Sequence, residues 1–390
     1  MTHIPLDHDY LIDQTQAMVR INSVNSDLES GAVGEGEMAR YVTDALINIG
    51  IEPMIYEVES GRSNVVGILK GAGTGKSLLL NAHLDTVGVT GMADPFSGEI
   101  RDGKLYGRGS YDMKASLAAM LTVMKSFVDA DVQLAGDLLF TAVIDEEYGS
   151  KGTEHLVRQV RADAAILTEP TNLRICCAHR GFAWIEVITH GRAAHGARHH
   201  EGIDANLHMG RILVEIEKLS HDLLQGKSHP LLGTASIHVP LMHGGTSQSV
   251  YSAQCRIELE RRLLPDDTLD EVTAEIQAIV DKLSAQDPQF TATVNTFFSR
   301  NPYEIDPSAE IVQVVKQATQ HILSTEPEIY GELWWMDSAL LADAGMETVI
   351  IGPTGDGIHA DVEWVDIESV VQLTQILQQS AIDYCGLVSE

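Results

Sequence analysis

Apolar and polar positions follow one rhythm at both ends of the chain and another in its middle. Apolar spacing of three and four residues predicts helices over 8–20 and 35–50. Short runs bounded by turn residues, 63–71 and 77–85, predict strands, and 114–128 is rich in strong helix formers. The continuous apolar runs 137–145 and 162–170 predict buried strands. Helix and buried strand alternate, which implies an α/β layer structure with a mainly parallel sheet. From about residue 180 the order changes to strand 181–190, helix 203–220, strands 234–242 and 250–263, helix 268–284 and strand 290–298. That β-α-β-β-α-β order predicts a ferredoxin-like α+β unit. A helix at 308–323, a strand at 347–353 and a helix from about 366 then resume the first pattern. The expected organisation is one α/β domain, 1–179 with 296–390, carrying an inserted domain at 180–295.

Composition narrows the partners. The 390 residues are 44% hydrophobic, without an apolar run long enough to span a bilayer, so no membrane partner is expected. The opening "MTHIPLDHDYLIDQTQ" lacks a basic region followed by an apolar stretch, and a secretory leader is not expected. Cysteines at 176, 177, 255 and 385 make no C-x-x-C pair, which fits a reducing cytoplasm better than a disulfide framework. The formal charge of −30 repels phosphate backbones and argues against nucleic acid. Solubility accounts for most of those acids, but a few remain available as metal ligands.

Three motif-like stretches fail on inspection. "GAGTGKS" (71–77) resembles a phosphate loop, but the first glycine of that loop would fall at position 70, where Lys70 stands. A strand, not a helix, is expected after it, so the reading left is a hairpin turn between two strands. "HEGID" (200–204) lacks the second histidine of a zinc helix, and "GTSQS" (245–249) lacks the last glycine of a serine nucleophile elbow.

A set of acids and histidines survives. His83 and Asp85 lie in "NAHLDT", Asp112 in "GRGSYDMK", Glu146 and Glu147 in "VIDEEYGS", Glu169 in "LTEPT" and His359 in "GPTGDGIHADVEW". Each follows a predicted strand, and open α/β sheets bind ligands at that edge. Singly, Asp112 reads equally well as a helix N-cap, the two histidines as core or loop residues, and the paired glutamates as a solvated turn. Together, carboxylates at one end of a sheet repel one another unless a cation relieves them. Imidazole and carboxylate without thiolate suit zinc. Two zinc ions could share Asp112, one taking His83 and Glu169, the other Glu147 and His359. That leaves Glu146 as a base and Asp85 to hold the far nitrogen of His83.

"HLDTV", "GRGSYDMK", "DEEYGSKGT", "TEPT" and "GIHADVEWV" resemble, in order and over nearly the whole chain, the co-catalytic metallopeptidase family. That family includes acetylornithine deacetylase, succinyl-diaminopimelate desuccinylase, aminoacylase and bacterial glutamate carboxypeptidase. The resemblance implies the same roles: His83, Asp112, Glu147, Glu169 and His359 as ligands, Glu146 as general acid/base, Asp85 behind His83. It also implies two zinc ions, replaceable by cobalt, a cis Asp112–Met113 peptide, and an inserted lid through which the chain forms a homodimer. Within the lid, His195 matches a histidine that reaches the partner subunit's site to stabilise an oxyanion, and Arg262 matches an arginine that binds the substrate carboxylate. Read without the resemblance, His195 is a solvated loop histidine and Arg262 a surface strand charge.

One departure bears on substrate handling. Ser249 stands where the family usually has asparagine, so that contact is lost, changed or supplied by Gln248. Trp334 and Trp335 replace smaller residues and read as a pocket wall or as core. The implied reaction is metal-dependent hydrolysis of an N-acyl amino acid or of a short peptide with a free carboxylate, by a deacylase or carboxypeptidase. The alternatives are a dipeptidase or carbamoyl-amino-acid hydrolase of the same fold, a non-catalytic metal-binding protein, and a serine hydrolase.

Overall fold

The computed structural model describes residues 4–388. The first three residues, part of the stretch read for a leader, and the last two, which close the expected 296–390 segment, lie outside the described residues. The chain forms two compact units. One holds the residues up to Cys177, Ile305–Tyr330 and the chain from Met336 on; the other holds Ala178–Glu304 and Gly331–Trp335.

The first unit is built on a mixed sheet. Its strands run in the order Met54–Glu59, Arg62–Leu69, Leu138–Val143, Leu78–His83, Ala164–Leu167, Glu347–Ile350 and Ile175–His179. Parallel pairing joins the four strands from Leu138–Val143 to Glu347–Ile350, and the strands at both edges pair antiparallel. The central strands are buried along their whole length, which is why they read as unbroken apolar runs. Helix Ala115–Asp129 is buried on nearly every side. Each large aliphatic side chain hidden this way contributes about 1.5–3 kcal/mol.

The glycine-rich segment is corrected. Strand Leu138–Val143 lies between Arg62–Leu69 and Leu78–His83, so residues 70–77 do not form a hairpin turn. Leu138–Val143, buried along its whole length, pairs with both, antiparallel to the first and parallel to the second. No helix follows the loop, as the rejection of a phosphate site requires.

The second unit has a four-stranded antiparallel sheet in the order Ser236–Gly244, Gln254–Leu263, Gly181–His190, Thr291–Arg300. Helices Ala205–Gln225 and Leu269–Gln286 complete the β-α-β-β-α-β sequence. Ala183, Ile185 and Val187 alternate inward and share a core with Ile257, Leu259, Ile212 and Ile276. Asp204 caps the first helix, and Thr268 with Glu271 forms a capping box on the second. The last strand pairs with Gly181–His190 as far as Arg300, past the boundary expected at residue 295. Among the described residues no helix is long and apolar enough to cross a membrane.

Candidate metal centre

Three adjacent parallel strands end at one place. His83 closes Leu78–His83, Glu146 and Glu147 follow Leu138–Val143, and Glu169 follows Ala164–Leu167. Asp112 comes from the turn Ser110–Lys114 that opens the buried helix, and its peptide to Met113 is cis. His359 arrives from a distant loop with φ of 59°, a left-handed conformation unusual for a residue with a side chain.

These side chains converge. His83 Nε2 lies 3.0 Å from Asp112 Oδ1 and 3.7 Å from Glu169 Oε1. His359 Nε2 lies 3.4 Å from Asp112 Oδ2 and 3.0 Å from Glu147 Oε2. The two oxygens of Asp112 therefore face two different imidazoles, each with a further carboxylate beside it. One ligand atom each from His83, Asp112 and Glu147 falls within a mutual 4.8 Å, and so does one each from His83, Glu146 and Glu169. Glu146 thus stands next to one candidate ion position. No hydrogen bond holds its carboxylate among the described residues.

The electrostatics fit a site for a cation. Burial, and then the charge of Glu169, push the Glu146 carboxyl well above its ordinary range. Burial also drives Glu169 well up and Glu147 up, with Asp112 adding to both. Burial opposes the imidazolium of His83, but the facing Glu169 and Asp112 carboxylates outweigh it and raise that pKa. Hydrogen bonds to Asp112 and Glu147 raise His359 to about 10. Asp112 is held low, because the two histidines overcome its burial. Glu169 Oε1 is buried without a hydrogen-bond partner, an arrangement that costs free energy unless a cation or proton meets it. Oxygen and imidazole donors around such an orphan suit a divalent ion of the zinc class.

One expected contact differs. The Nδ1 of His83 is 3.0 Å from the backbone carbonyl of Asp85 and 3.6 Å from its carboxylate. The carboxylate instead accepts from Asn25 Nδ2 at 2.8 Å and from the backbone N–H groups of Glu146 and Glu147 at 3.2 and 3.1 Å. Asp85 therefore fixes the loop carrying both glutamates, while its main chain orients the imidazole.

The model of "Peptidase family M20/M25/M40" matches residues 79–383. The chain belongs to this family. Among its M20 relatives is the N-formyl-4-amino-5-aminomethyl-2-methylpyrimidine deformylase of Bacillus subtilis, 30% identical over 90% of this chain and 89% of that one. An acetylornithine deacetylase of Myxococcus xanthus is 28% identical over 83% of this chain and 84% of its own. A tripeptidase structure from Staphylococcus aureus has a TM-score of 0.80 at 18% identity and covers 97% of this chain and 99% of its own, a likeness of fold. The protein is thus an M20 hydrolase, and the resemblance drawn from five motifs names the right family.

Sequence reasoning missed the supports of this M20 site. Asn25 Nδ2 bridges the carboxylates of Asp85 and Asp145, and Asp145 accepts from the buried Arg62, which also pairs with Glu35. Glu363 is buried and gathers Arg108 Nη1 at 2.7 Å with the N–H groups of Gly109, Tyr111 and Asp112 at 3.0, 2.9 and 3.0 Å. It clamps the turn that presents Asp112. Arg108 and Glu363 lie inside two of the recognised motifs, and that placement was the available signal. Asp337, buried and pushed to about 6 by its burial, accepts from Thr153.

The second unit holds the other candidates. His195 is exposed, and its Nδ1 accepts from the N–H of Ala197 at 3.1 Å. Ser249 lies in an exposed turn, and its backbone carbonyl accepts from the N–H of Gly196 at 2.8 Å, so Ser249 and His195 occupy neighbouring loops. Arg262 Nε donates to Glu260 at 2.8 Å on the sheet face away from the helices. Trp335 Nε1 donates to the carbonyl of Asn301, whereas Trp334 is 45% exposed.

Proposed function

We propose that this M20 hydrolase carries two zinc ions and cleaves the amide of an N-acyl amino acid, or of a short peptide with a free carboxylate. The observation that carries the reading is the Asp112 carboxylate, whose two oxygens face His83 and His359 separately. His83, Asp112 and Glu169 would hold one ion, and Asp112, Glu147 and His359 the other. Bound there, the metal would polarise the amide carbonyl and acidify a water toward about pH 7.

The remaining work belongs to side chains. Glu146, with its raised proton affinity and untethered carboxylate, takes the proton from the attacking water and returns it to the leaving amine. His195 accepts at Nδ1, so its proton is on Nε2, which donates to the developing oxyanion. Arg262 pairs with the substrate carboxylate and positions the amide. Ser249, beside His195, offers a hydroxyl to the same substrate.

A homodimer suits the second unit. Exposed Leu207 and Val214 on one helix lie alongside an edge strand, Ser236–Gly244, that exposes Leu241 and Met242. Four buried cysteines, none in a C-x-x-C pair, agree with a cytoplasmic setting. The deformylase among the relatives adds N-formyl amines to the substrates worth testing.

The test is hydrolysis of N-acetyl, N-succinyl, N-formyl and glutamyl substrates with zinc or cobalt, in wild type and Glu146→Ala. The variant should keep its metal and lose about 10²–10⁴ in rate. An unchanged rate removes Glu146 as the base, and inactivity of the metal-loaded wild type on every amide ends the reading.

A further inference from the structure

On the sheet of the second unit, the face away from the helices carries two rows across three strands. Arg262 pairs with Phe182, which pairs with Arg300; Glu260 pairs with Trp184, which pairs with Phe298. Trp335 joins this cluster, its ring centroid 6.3 Å from Phe182 at an interplanar angle of 87°. Trp184 lies 5.3 Å from Phe182 and 5.0 Å from Phe298. The chain has only four tryptophans and seven phenylalanines, and two of each meet here, so composition alone does not produce the cluster.

The rings are half-buried rather than sealed in the core. Cations overlie them: Arg262 is 5.6 Å from the Phe182 centroid, and Arg300 is 4.7 Å from Phe298 and 5.7 Å from Trp335. Glu260 occupies the Nε of Arg262 and also accepts from Trp184 Nε1 at 3.0 Å. The Nη donors of Arg262 have no carboxylate partner among the described residues. A half-buried guanidinium with a free fork, set against stacked rings in a chain of net charge −30, matches a planar aromatic group bearing a carboxylate.

We infer that the Phe182–Trp184–Phe298–Trp335 cluster beside Arg262 selects an aromatic side chain next to the substrate carboxylate, making N-acyl aromatic amino acids the substrate class. This rests on the assignment of Arg262 to that carboxylate. Arg262 takes the anion in its open fork, and the ring packs edge-to-face against the cluster. Aliphatic N-acyl amino acids keep the first contact and lose the second. Aromatic amides keep the second and lose the first.

Calorimetric titration of full-length, zinc-loaded Glu146→Gln protein tests the inference without turnover. The probes are N-acetyl-L-tryptophan, N-acetyl-L-alanine and N-acetyl-L-tryptophanamide. N-acetyl-L-tryptophan should bind about tenfold more tightly than either of the others. Phe298→Leu and, outside the strands, Trp335→Leu should each shrink its advantage over N-acetyl-L-alanine while leaving N-acetyl-L-alanine binding unchanged. Equal affinity for the alanine probe, equal affinity for the amide, or an advantage that survives both substitutions would overturn the inference. Wild-type turnover separates this from the broader reading. Tight aromatic binding without hydrolysis sinks the hydrolase assignment alone, and hydrolysis without aromatic preference sinks the subsite alone.

Discussion

Replacing Glu363 with glutamine changes one atom type in a buried clamp, and the consequence can be worked out from its bonds. Its two oxygens accept four donors, from Arg108 and from the backbone of Gly109, Tyr111 and Asp112. Glutamine keeps one oxygen, which satisfies two of them, and turns an NH2 group toward the other two. Each orphaned buried donor costs about 1–3 kcal/mol. Arg108, also buried, loses its counter-ion, and breaking a buried pair from one side costs about 3–5 kcal/mol. These costs overlap because they share partners, so the expected total is about 3–5 kcal/mol rather than their sum. Urea unfolding of metal-free wild type and Glu363→Gln measures it, and zinc affinity should fall as the Asp112 turn loosens. Adding Arg108→Met to Glu363→Gln should cost less than the sum of the two single changes. A loss below about 1 kcal/mol with zinc affinity intact would show that Glu363 does not hold the turn.

Other outcomes follow from the same geometry. His359→Ala should lower bound zinc from two ions to about one per chain by elemental analysis; two retained ions would remove His359 as a ligand. Mixing inactive His195→Ala with inactive Glu146→Ala should restore partial activity if a partner's His195 completes each site, and no recovery would mean that the loop acts within its own chain. Asp112 and Glu147 raise His359 to about 10, so without metal it is protonated at neutral pH. Its favourable contribution is then full below about 6.5 and lost as pH rises through about 10. Zinc needs the neutral ring, so binding near pH 7 should release a proton that disappears in His359→Ala, read by titration calorimetry in buffers of different ionisation enthalpy.

The sequence revealed elements wherever burial was uniform or strictly alternating. Leu78–His83 and Leu138–Val143 are covered on both faces, and Gly181–His190 on one, so their patterns were plain. The edge strand Met54–Glu59 is largely exposed, and the short, mostly polar helix Lys151–Gln159 buries only Gly152, Thr153 and Leu156, so neither stands out as an apolar run. The hairpin expected at 71–77 failed because pairing order depends on a third strand more than fifty residues on. At the metal centre, a polar residue ending an apolar run marked His83, Glu146, Glu147 and Glu169, whereas Asp112 and His359 stood out only through the motifs around them. The clamps were hidden because a buried Glu363 or Arg62 is indistinguishable in sequence from a surface charge, and only packing brings Asn25 between Asp85 and Asp145.

Anomalous diffraction from zinc-loaded crystals bears most directly on the paired-metal site. Two peaks should lie about 2.0–2.2 Å from their ligands, one against His83 and Glu169, the other against Glu147 and His359, with Asp112 between them and Glu146 bound to neither. No peak at this cluster, or Glu146 ligating an ion in place of Glu169, would contradict it.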